Sequence, residues 1–421
     1  MSDILIRNVL LNNSRTNVRI KGNAFEAIAP DLTARAGEFI LDGSSFAILP
    51  GFYNTHTHAA MTLLRGYADD MALFTWLQEH IWPAEAKLTE EEIRIGCRLA
   101  MIEMIHSGTV FFNDMYYRQP EMIEEAAAMG MRGAVGLMFM DVIPEESKAA
   151  NERTNARLLE LRGNISDRID INYAPHSIYT VQGLTLRKVA EEAKARGMMI
   201  HIHAAETETE VKNCLKEHRM RPVEYLDSLG ILGPKTVLAH AVHLTDAECA
   251  LVAERGAVLA HMPCSNMKLV SGAFRYRQCC DAAYCRVTIG TDGASSNNTL
   301  SMLNEMRFAA LLAKHESGEP TVASARQIFD IATRNGADAF GINGGVIEPG
   351  RLADCILVNL DHPVLCAGHN LVSDMVYAAD SSCIDTVICD GRILMRGGKI
   401  DGEEEVVKEM KRVCRIIRER R

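Results

Sequence analysis

The sequence has no apolar run long enough to cross a bilayer, which excludes a membrane-spanning helix and argues against a membrane partner. It also has no basic stripe interleaved with aromatics. Its 45 Lys and Arg stand against 55 Asp and Glu, a net charge of −10. Gripping phosphates needs clustered cations, so no nucleic-acid partner is expected and a small molecule is. Met1 to Leu11 carries no basic segment followed by an apolar one, so no signal peptide is read there and a cytoplasmic protein is expected. None of the 12 cysteines forms a C-x-x-C pair, and they read as small buried hydrophobes kept reduced. Cys279, Cys280 and Cys285 are the one local cluster; a thiol metal site is the competing reading there, but no second cluster at finger spacing completes it. A G-x-G-x-x-G loop, an internal repeat and a low-complexity linker are missing as well.

What is present is a globular composition, 48% hydrophobic and 24% charged, in 421 residues. That length exceeds one ordinary core and suits two domains or one large barrel with an accessory piece. Residues 4–6, 18–20, 25–28 and 39–41 read as short strands separated by turns, and residues 354–358, 386–389 and 392–395 repeat that texture near the other end. A composite β domain, a small β-sandwich made from residues 1–50 and 350–421, is expected. Its C-terminal helix places Val406, Met410, Val413 and Ile417 on one face, with Glu403 to Glu405 at its start and Arg418, Arg420 and Arg421 at its end.

Between the ends, apolar strand-like runs finish near Asn54, Asp114, Met140, His176, Glu206, His240, His261 and Asp292, with helical periodicity in residues 90–106, 184–196 and 246–255 between them. Eight such units predict an α/β fold, a (β/α)8 TIM-like barrel over residues 51–349. A doubly wound open sheet is the alternative, with its ligand at one switch point instead of around a rim.

His56 and His58 end the first barrel strand, His203 and Glu206 the fifth, His240 the sixth and Asp292 the eighth. C-terminal strand ends share one face of a barrel, so these distant residues converge. His56 and His58, two residues apart on an extended segment, project to one side and can share an ion. His203 is the third expected ligand, and His201, one layer deeper, is left as a hydrogen-bonded core residue. Asp292 closes its strand before a glycine turn; Ser295, Asn297 or Asn298 would more naturally cap the helix that follows, which frees Asp292 to bind metal and accept a proton. Three imidazoles and a carboxylate suit Zn²⁺, or Fe²⁺, better than Mg²⁺ or Ca²⁺. Strand four, residues 169–176, offers no lysine to be carbamylated and no carboxylate at its rim, which predicts one divalent ion per subunit. His240 is then expected to hydrogen-bond the ion's water, with ligation of a second ion as the other reading. Glu206 is expected as a proton shuttle in a dry pocket, or else as a partner that orients a histidine.

Pro50-Gly51-Phe52 with His56 and His58, then His203-Ala204-Ala205-Glu206, Ala239-His240, Ser265 to Leu269 and Gly290-Thr291-Asp292-Gly293 follow in the order of the amidohydrolase superfamily, which the chain resembles over nearly its whole length. Gly350-Arg351-Leu352-Ala353-Asp354 resembles the family's return into its small β domain. Trp82 to Leu88, Pro175-His176-Ser177 and Ser295-Ser296-Asn297-Asn298 look most like the 5-methylthioadenosine/S-adenosylhomocysteine deaminases. The resemblance implies that Glu85 accepts both ribose hydroxyls and that His176 touches the ribose or the 5′ substituent. Members that take S-adenosylhomocysteine resemble one another in an arginine near the end of strand three, where this chain has Gly136-Leu137-Met138-Phe139-Met140. Methylthioadenosine, 5′-deoxyadenosine or adenosine is therefore expected ahead of a charged tail.

The expected reaction is hydrolytic deamination of an adenosine-like nucleoside at purine C6, with Glu206, His240 and Asp292 handling protons. Two alternatives stand beside it: an amidohydrolase of a free base such as guanine or cytosine, or of a chloro-triazine ring, and a barrel that binds without catalysis. The exact 5′ group, the native ion, the role of the cysteine cluster and whether the chain forms a homo-oligomer are left open by the sequence.

Overall fold

The structure, a computed structural model, describes residues 3–420. Its strands in chain order are β1 (Ile4–Leu11), β2 (Ser14–Lys21), β3 (Ala24–Ala29), β4 (Phe39–Asp42), β5 (Phe46–Pro50), β6 (Phe52–His58), β7 (Thr109–Asp114), β8 (Arg132–Phe139), β9 (Ile169–Pro175), β10 (Ile200–Ala204), β11 (Thr236–His240), β12 (Val258–His261), β13 (Arg286–Ile289), β14 (Asp292–Gly293), β15 (Cys355–Asn359), β16 (Ile384–Cys389) and β17 (Arg392–Met395).

The two chain ends meet in one mixed eight-stranded sheet, ordered β17-β16-β15-β5-β1-β2-β3 with β4 also on β1. The middle strands run parallel in the order β13-β12-β11-β10-β9-β8-β7-β6-β14. β13 and β14 are one strand interrupted at Gly290-Thr291, and Asp292 lies opposite Thr57 of β6, so the parallel sheet closes into a TIM-like barrel. Closure needs glycine at 290: a Cβ there would lie 2.7 Å from the His56 backbone nitrogen. Asn54 fastens the seam, its Nδ2 donating to Thr291 Oγ1 at 2.8 Å and its Oδ1 accepting from the Thr291 N–H at 3.0 Å.

Local chemistry fixes the helices that separate the strands. In Glu90–His106 the Thr89 hydroxyl accepts the Glu92 N–H and the Glu92 side chain accepts the Thr89 N–H, a reciprocal cap. Ile93, Cys97, Ala100, Met101 and Met104 then recur every three or four residues and are buried. The helix Met302–Ser317 corrects one expectation. Its cap is Ser301, not Ser295, Asn297 or Asn298. Those three are engaged elsewhere, with Ser295 Oγ on Met61 sulfur, Asn297 Nδ2 on Thr291 O and Glu305, and Asn298 Oδ1 on Lys268, as the chain crosses the barrel mouth.

The C-terminal helix Glu403–Glu419 buries Met410, Val413 and Ile417, pairs Glu403 with His106 at 2.8 Å and sets Arg420 against Glu92; Arg421 lies outside the described residues. No helix among the described residues is long and apolar enough to cross a membrane. Cys249 and Cys279 bring their sulfurs to 3.4 Å, and Cys285 donates to the Cys249 carbonyl at 3.3 Å. Among the described residues, neither they nor Cys280 belong to a group whose ligand atoms lie close enough to share an ion.

Barrel and end sheet are joined through a buried charge cluster. Arg132 at the start of β8 reaches Asp354 at 3.2 Å and Asp390 at 2.7 Å, and Asp354 also accepts from the Tyr53 hydroxyl and the Asp390 N–H. Asp354 is fully buried, so removing its carboxylate leaves the Arg132 guanidinium with Asp390 alone and the Tyr53 hydroxyl and Asp390 N–H without their acceptor. Asp354→Ala is expected to lower the unfolding free energy by about 3–5 kcal/mol, read from the urea midpoint at constant slope. A shift below about 1 kcal/mol would mean that the two layers are held by apolar packing alone.

Candidate metal centre and reaction pocket

The C-terminal ends of the barrel strands bring His56, His58, His203, His240 and Asp292 to one point. The Nε2 atoms of His58 and His203 are 3.3 Å apart, and Asp292 Oδ1 lies 3.2 Å from His58 Nε2 and 3.4 Å from His56 Nε2. Two sets, His56 with His58 and His203, and His56 with His240 and Asp292, have ligand atoms within 4.8 Å of one another.

Each expected histidine ligand has its other ring nitrogen occupied by protein. His58 Nδ1 donates to the Met115 carbonyl at 2.5 Å and His203 Nδ1 to the His176 carbonyl at 2.7 Å, while His56 Nδ1 meets His201 Nε2 at 2.7 Å. A carbonyl only accepts, so the hydrogens of His58 and His203 sit on Nδ1 and both Nε2 atoms face each other with lone pairs. His56 Nε2 is buried without a hydrogen-bond partner. Lone pairs crowded in this way call for a cation, and the donor set of imidazole nitrogens plus one carboxylate oxygen fits a divalent transition metal.

Burial opposes charge on His58, yet the hydrogen bond and attraction from Asp292 outweigh it and lift its pKa to about 9, so without an ion a proton on Nε2 takes the place beside Asp292 that a cation would claim. Burial pushes His56 down to about 4 and His176 to about 3. The second Asp292 oxygen accepts from Ser265 Oγ at 2.6 Å and Ser296 Oγ at 2.9 Å, which leaves Oδ1 aimed at the histidines.

Three strand ends turn through left-handed backbone without glycine: Ala205 (φ 51), His240 (φ 72) with Ala241 (φ 48), and Asp292 (φ 61). Such turns cost of order 1 kcal/mol or more each for a residue with a side chain, and all three lie at or within two residues of His203, His240 and Asp292 of the cluster. His240 Nδ1 is 2.8 Å from Asn266 Oδ1, an acceptor, and its Nε2 faces Glu206 Oε2 at 3.7 Å. Glu206 is buried and belongs to neither ligand set. Burial holds its carboxyl above the usual range, and Ser271 Oγ donates to Oε1 at 3.3 Å. The Glu206 backbone is held by Glu210, which accepts the N–H groups of Ala205 and Glu206 at 2.9 and 2.8 Å.

The same pocket is lined by Glu85, His176, Trp82 and Tyr116. Glu85, on the short helix Trp82–Glu85 over the mouth, is pushed up to about 7 by burial while the Tyr116 hydroxyl donates to Oε1 at 2.6 Å. His176, just past β9, has Nδ1 2.9 Å from Thr180 Oγ1. All the residues singled out from the sequence as site residues therefore line or flank one pocket. The residues that position them, Ser265, Asn266, Ser271, Ser296, Glu210 and Tyr116, were not assigned roles from the sequence; Ser265-Asn266 and Ser296 lie in stretches that already stood out, whereas Glu210 reads only as a helix-start carboxylate.

A parallel barrel with a histidine and carboxylate cluster at its C-terminal rim is the architecture of metal-dependent hydrolases. The chain belongs to the amidohydrolase family, which it matches over residues 47–394. It is 42% identical over 405 residues to 5-methylthioadenosine/S-adenosylhomocysteine deaminase 1 of Archaeoglobus fulgidus, covering 96% of this chain and 94% of that one. It is 43% identical over 396 residues to 5'-deoxyadenosine deaminase of Methanothermobacter thermautotrophicus, covering 94% and 92%. A zinc-bound adenosine deaminase from Xanthomonas campestris superposes with a TM-score of 0.92 at 32% identity over 99% of both chains. A triazine hydrolase shares the fold, at 21% identity and a TM-score of 0.89.

Proposed function

We propose that the protein is a metal-dependent aminohydrolase that converts an adenosine-like nucleoside and water into the inosine analogue and ammonia. The observation that carries this reading is the set of inward Nε2 atoms and Asp292 Oδ1 with a dry carboxyl, Glu206, beside it. Relatives named as deaminases of three adenosine derivatives support the substrate class.

His56, His58, His203 and Asp292 are the proposed ligands of one ion, for which Zn²⁺ is the first choice and Fe²⁺ the second. The bound ion would lower the pKa of a water molecule far enough to make it a nucleophile at neutral pH. His240, with its hydrogen on Nδ1, would offer the Nε2 lone pair to orient the attacking water, and Asp292 would take the proton that the water gives up. Glu206, whose acid range burial raises, donates to purine N1 and so makes C6 electrophilic; the proton gathered by Asp292 leaves with the departing ammonia, and the proton of the new C6 hydroxyl returns to Glu206 as the carbonyl forms. Glu85 accepts the ribose hydroxyls and His176 packs on the ribose or 5′ side.

The division of the chain follows the same reading: residues 1–50 and 350–421 form a composite β domain with the C-terminal helix, and residues 51–349 the catalytic barrel. A sandwich is supported by β1, which is bulged between Ile6 and Val9 and pairs with β4 before the bulge and with β5 after it. Ile4, Val18, Leu41, Ile48, Leu357 and Ile388, drawn from six strands, share one small core.

The test is a spectrophotometric screen of zinc-loaded protein against adenosine, 5′-deoxyadenosine, methylthioadenosine, S-adenosylhomocysteine, adenine, guanine and cytosine. At least one nucleoside is expected to exceed free adenine by about 100-fold or more in kcat/KM, because free adenine has no hydroxyls to donate to Glu85. A free base ranking first would favour the base-hydrolase alternative, and no turnover of any would favour a binding protein.

A further inference from the structure

One buried acid beside the site has no task in the proposed chemistry. Glu305, on the helix Met302–Ser317, is 0% exposed and does not line the reaction pocket. Its oxygens are divided between two segments of the barrel mouth: Oε2 accepts the Cys264 N–H at 3.1 Å and Oε1 accepts from Asn297 Nδ2 at 2.6 Å. No Lys, Arg or His pairs with it among the described residues. Burial pushes this carboxyl up to about 8 against the pull of those donors, a cost that a neutral side chain would not carry. Glutamine, the neutral side chain of the same shape, would accept only one of the two bonds and turn its own N–H groups against the other donor.

Both segments lead to Asp292. Cys264 precedes Ser265 and Asn297 follows Ser296, and those two serine hydroxyls are the donors that hold Asp292 Oδ2, at 2.6 and 2.9 Å. Asn297 Nδ2 also donates to the Thr291 carbonyl at 2.7 Å, on the peptide that enters Asp292. That anchor falls where Asp292 takes its left-handed turn (φ 61), a backbone that a residue with a side chain adopts only when its surroundings impose it. Glu305 thus reaches the carboxylate along both serine segments and reaches its backbone through Asn297. With Oδ2 released, the carboxylate is free to rotate, and Oδ1 loses the pose that faces His56 and His58 at 3.4 and 3.2 Å.

We propose that Glu305 is a positioning residue for Asp292, clamping segments 263–268 and 291–298 together so that Oδ1 is presented to His56 and His58 in one fixed pose. The inference rests on the deaminase reading for the reaction that Asp292 serves, and on the hydrogen bonds alone for the clamp.

Glu305→Gln and Asn297→Ala cut the same run of bonds at two places. Each is compared with the parent for zinc affinity, by competition with a chromogenic chelator, and for ammonia release from the nucleoside that the parent turns over fastest. Each is expected to weaken zinc binding by about tenfold or more and to lower the kcat of the zinc-loaded protein by about tenfold or more, with KM moving less than about threefold. The double variant should fall no more than about twofold below the weaker single one, since both act through one path. Urea unfolding of the same preparations gives the folded fraction. Zinc affinity and kcat at the parent level, once corrected for that fraction, would mean that Glu305 only stabilises the fold and overturns the proposal. Full multiplication of the two single effects in the double variant overturns it as well. Should Glu305→Gln fail to fold, Asn297→Ala carries the same expectations and the same power to refute. If the parent releases ammonia from no nucleoside, the deaminase reading falls and the difference in zinc affinity alone decides the clamp.

Discussion

Glu206→Gln is expected to lower kcat by about 10³–10⁴-fold and to leave the bound metal unchanged. The side chain is buried, its acid range is raised by that burial, and it belongs to neither set of atoms able to share an ion. Glutamine keeps the shape and can still donate a hydrogen bond to purine N1, yet it cannot transfer a proton, so the substitution separates positioning from acid catalysis. KM should therefore move by less than about threefold while kcat collapses. Metal analysis and kinetics on one preparation decide the matter. Loss of metal together with activity would make Glu206 a ligand, and a fall of less than about tenfold would mean that the proton comes from elsewhere.

Asp292→Ala is expected to abolish turnover, by about 10⁴-fold or more, and to reduce metal occupancy. This carboxylate has two jobs in the proposed chemistry, holding the ion and receiving a proton, and its geometry fits both. Oδ1 faces His56 and His58, while Ser265 and Ser296 hold Oδ2. Treating the parent protein with a chelator should also silence it, but zinc should restore the parent and not the variant. If zinc restores the variant to within about tenfold of the parent, Asp292 only shapes the pocket and the proton acceptor lies elsewhere.

How far the site could be seen in advance follows from what each position needs. His56, His58, His203, His240 and Asp292 stand at strand ends in a regular alternation, and a parallel barrel sends such ends to one face, so periodicity alone brought them together. The helices 90–106 and 246–255 are equally legible, since apolar residues recur in both at helical spacing. The left-handed turns at Ala205, His240 and Asp292 were not, because no glycine advertises them; the ring closure and its hydrogen bonds impose that backbone from outside. Glu210 and Tyr116 escaped for a related reason. Their partners, the Ala205 and Glu206 backbone and the Glu85 carboxylate, become neighbours only once loops from separate units have packed, and no local pattern records that. Ser301 takes the cap because Ser295, Asn297 and Asn298, which suit it equally by residue type, are engaged across the mouth.

The barrel's seam passes through the histidine and carboxylate cluster. β6 contributes His56 and His58, the last strand contributes Asp292, and Asp292 is itself paired with Thr57 where the ring shuts. A cation seated among these side chains would act as a clasp across the join, so that losing it loosens the hoop as well as stopping the chemistry. Scarcity of metal would then shorten the working life of the protein before any substrate reaches it.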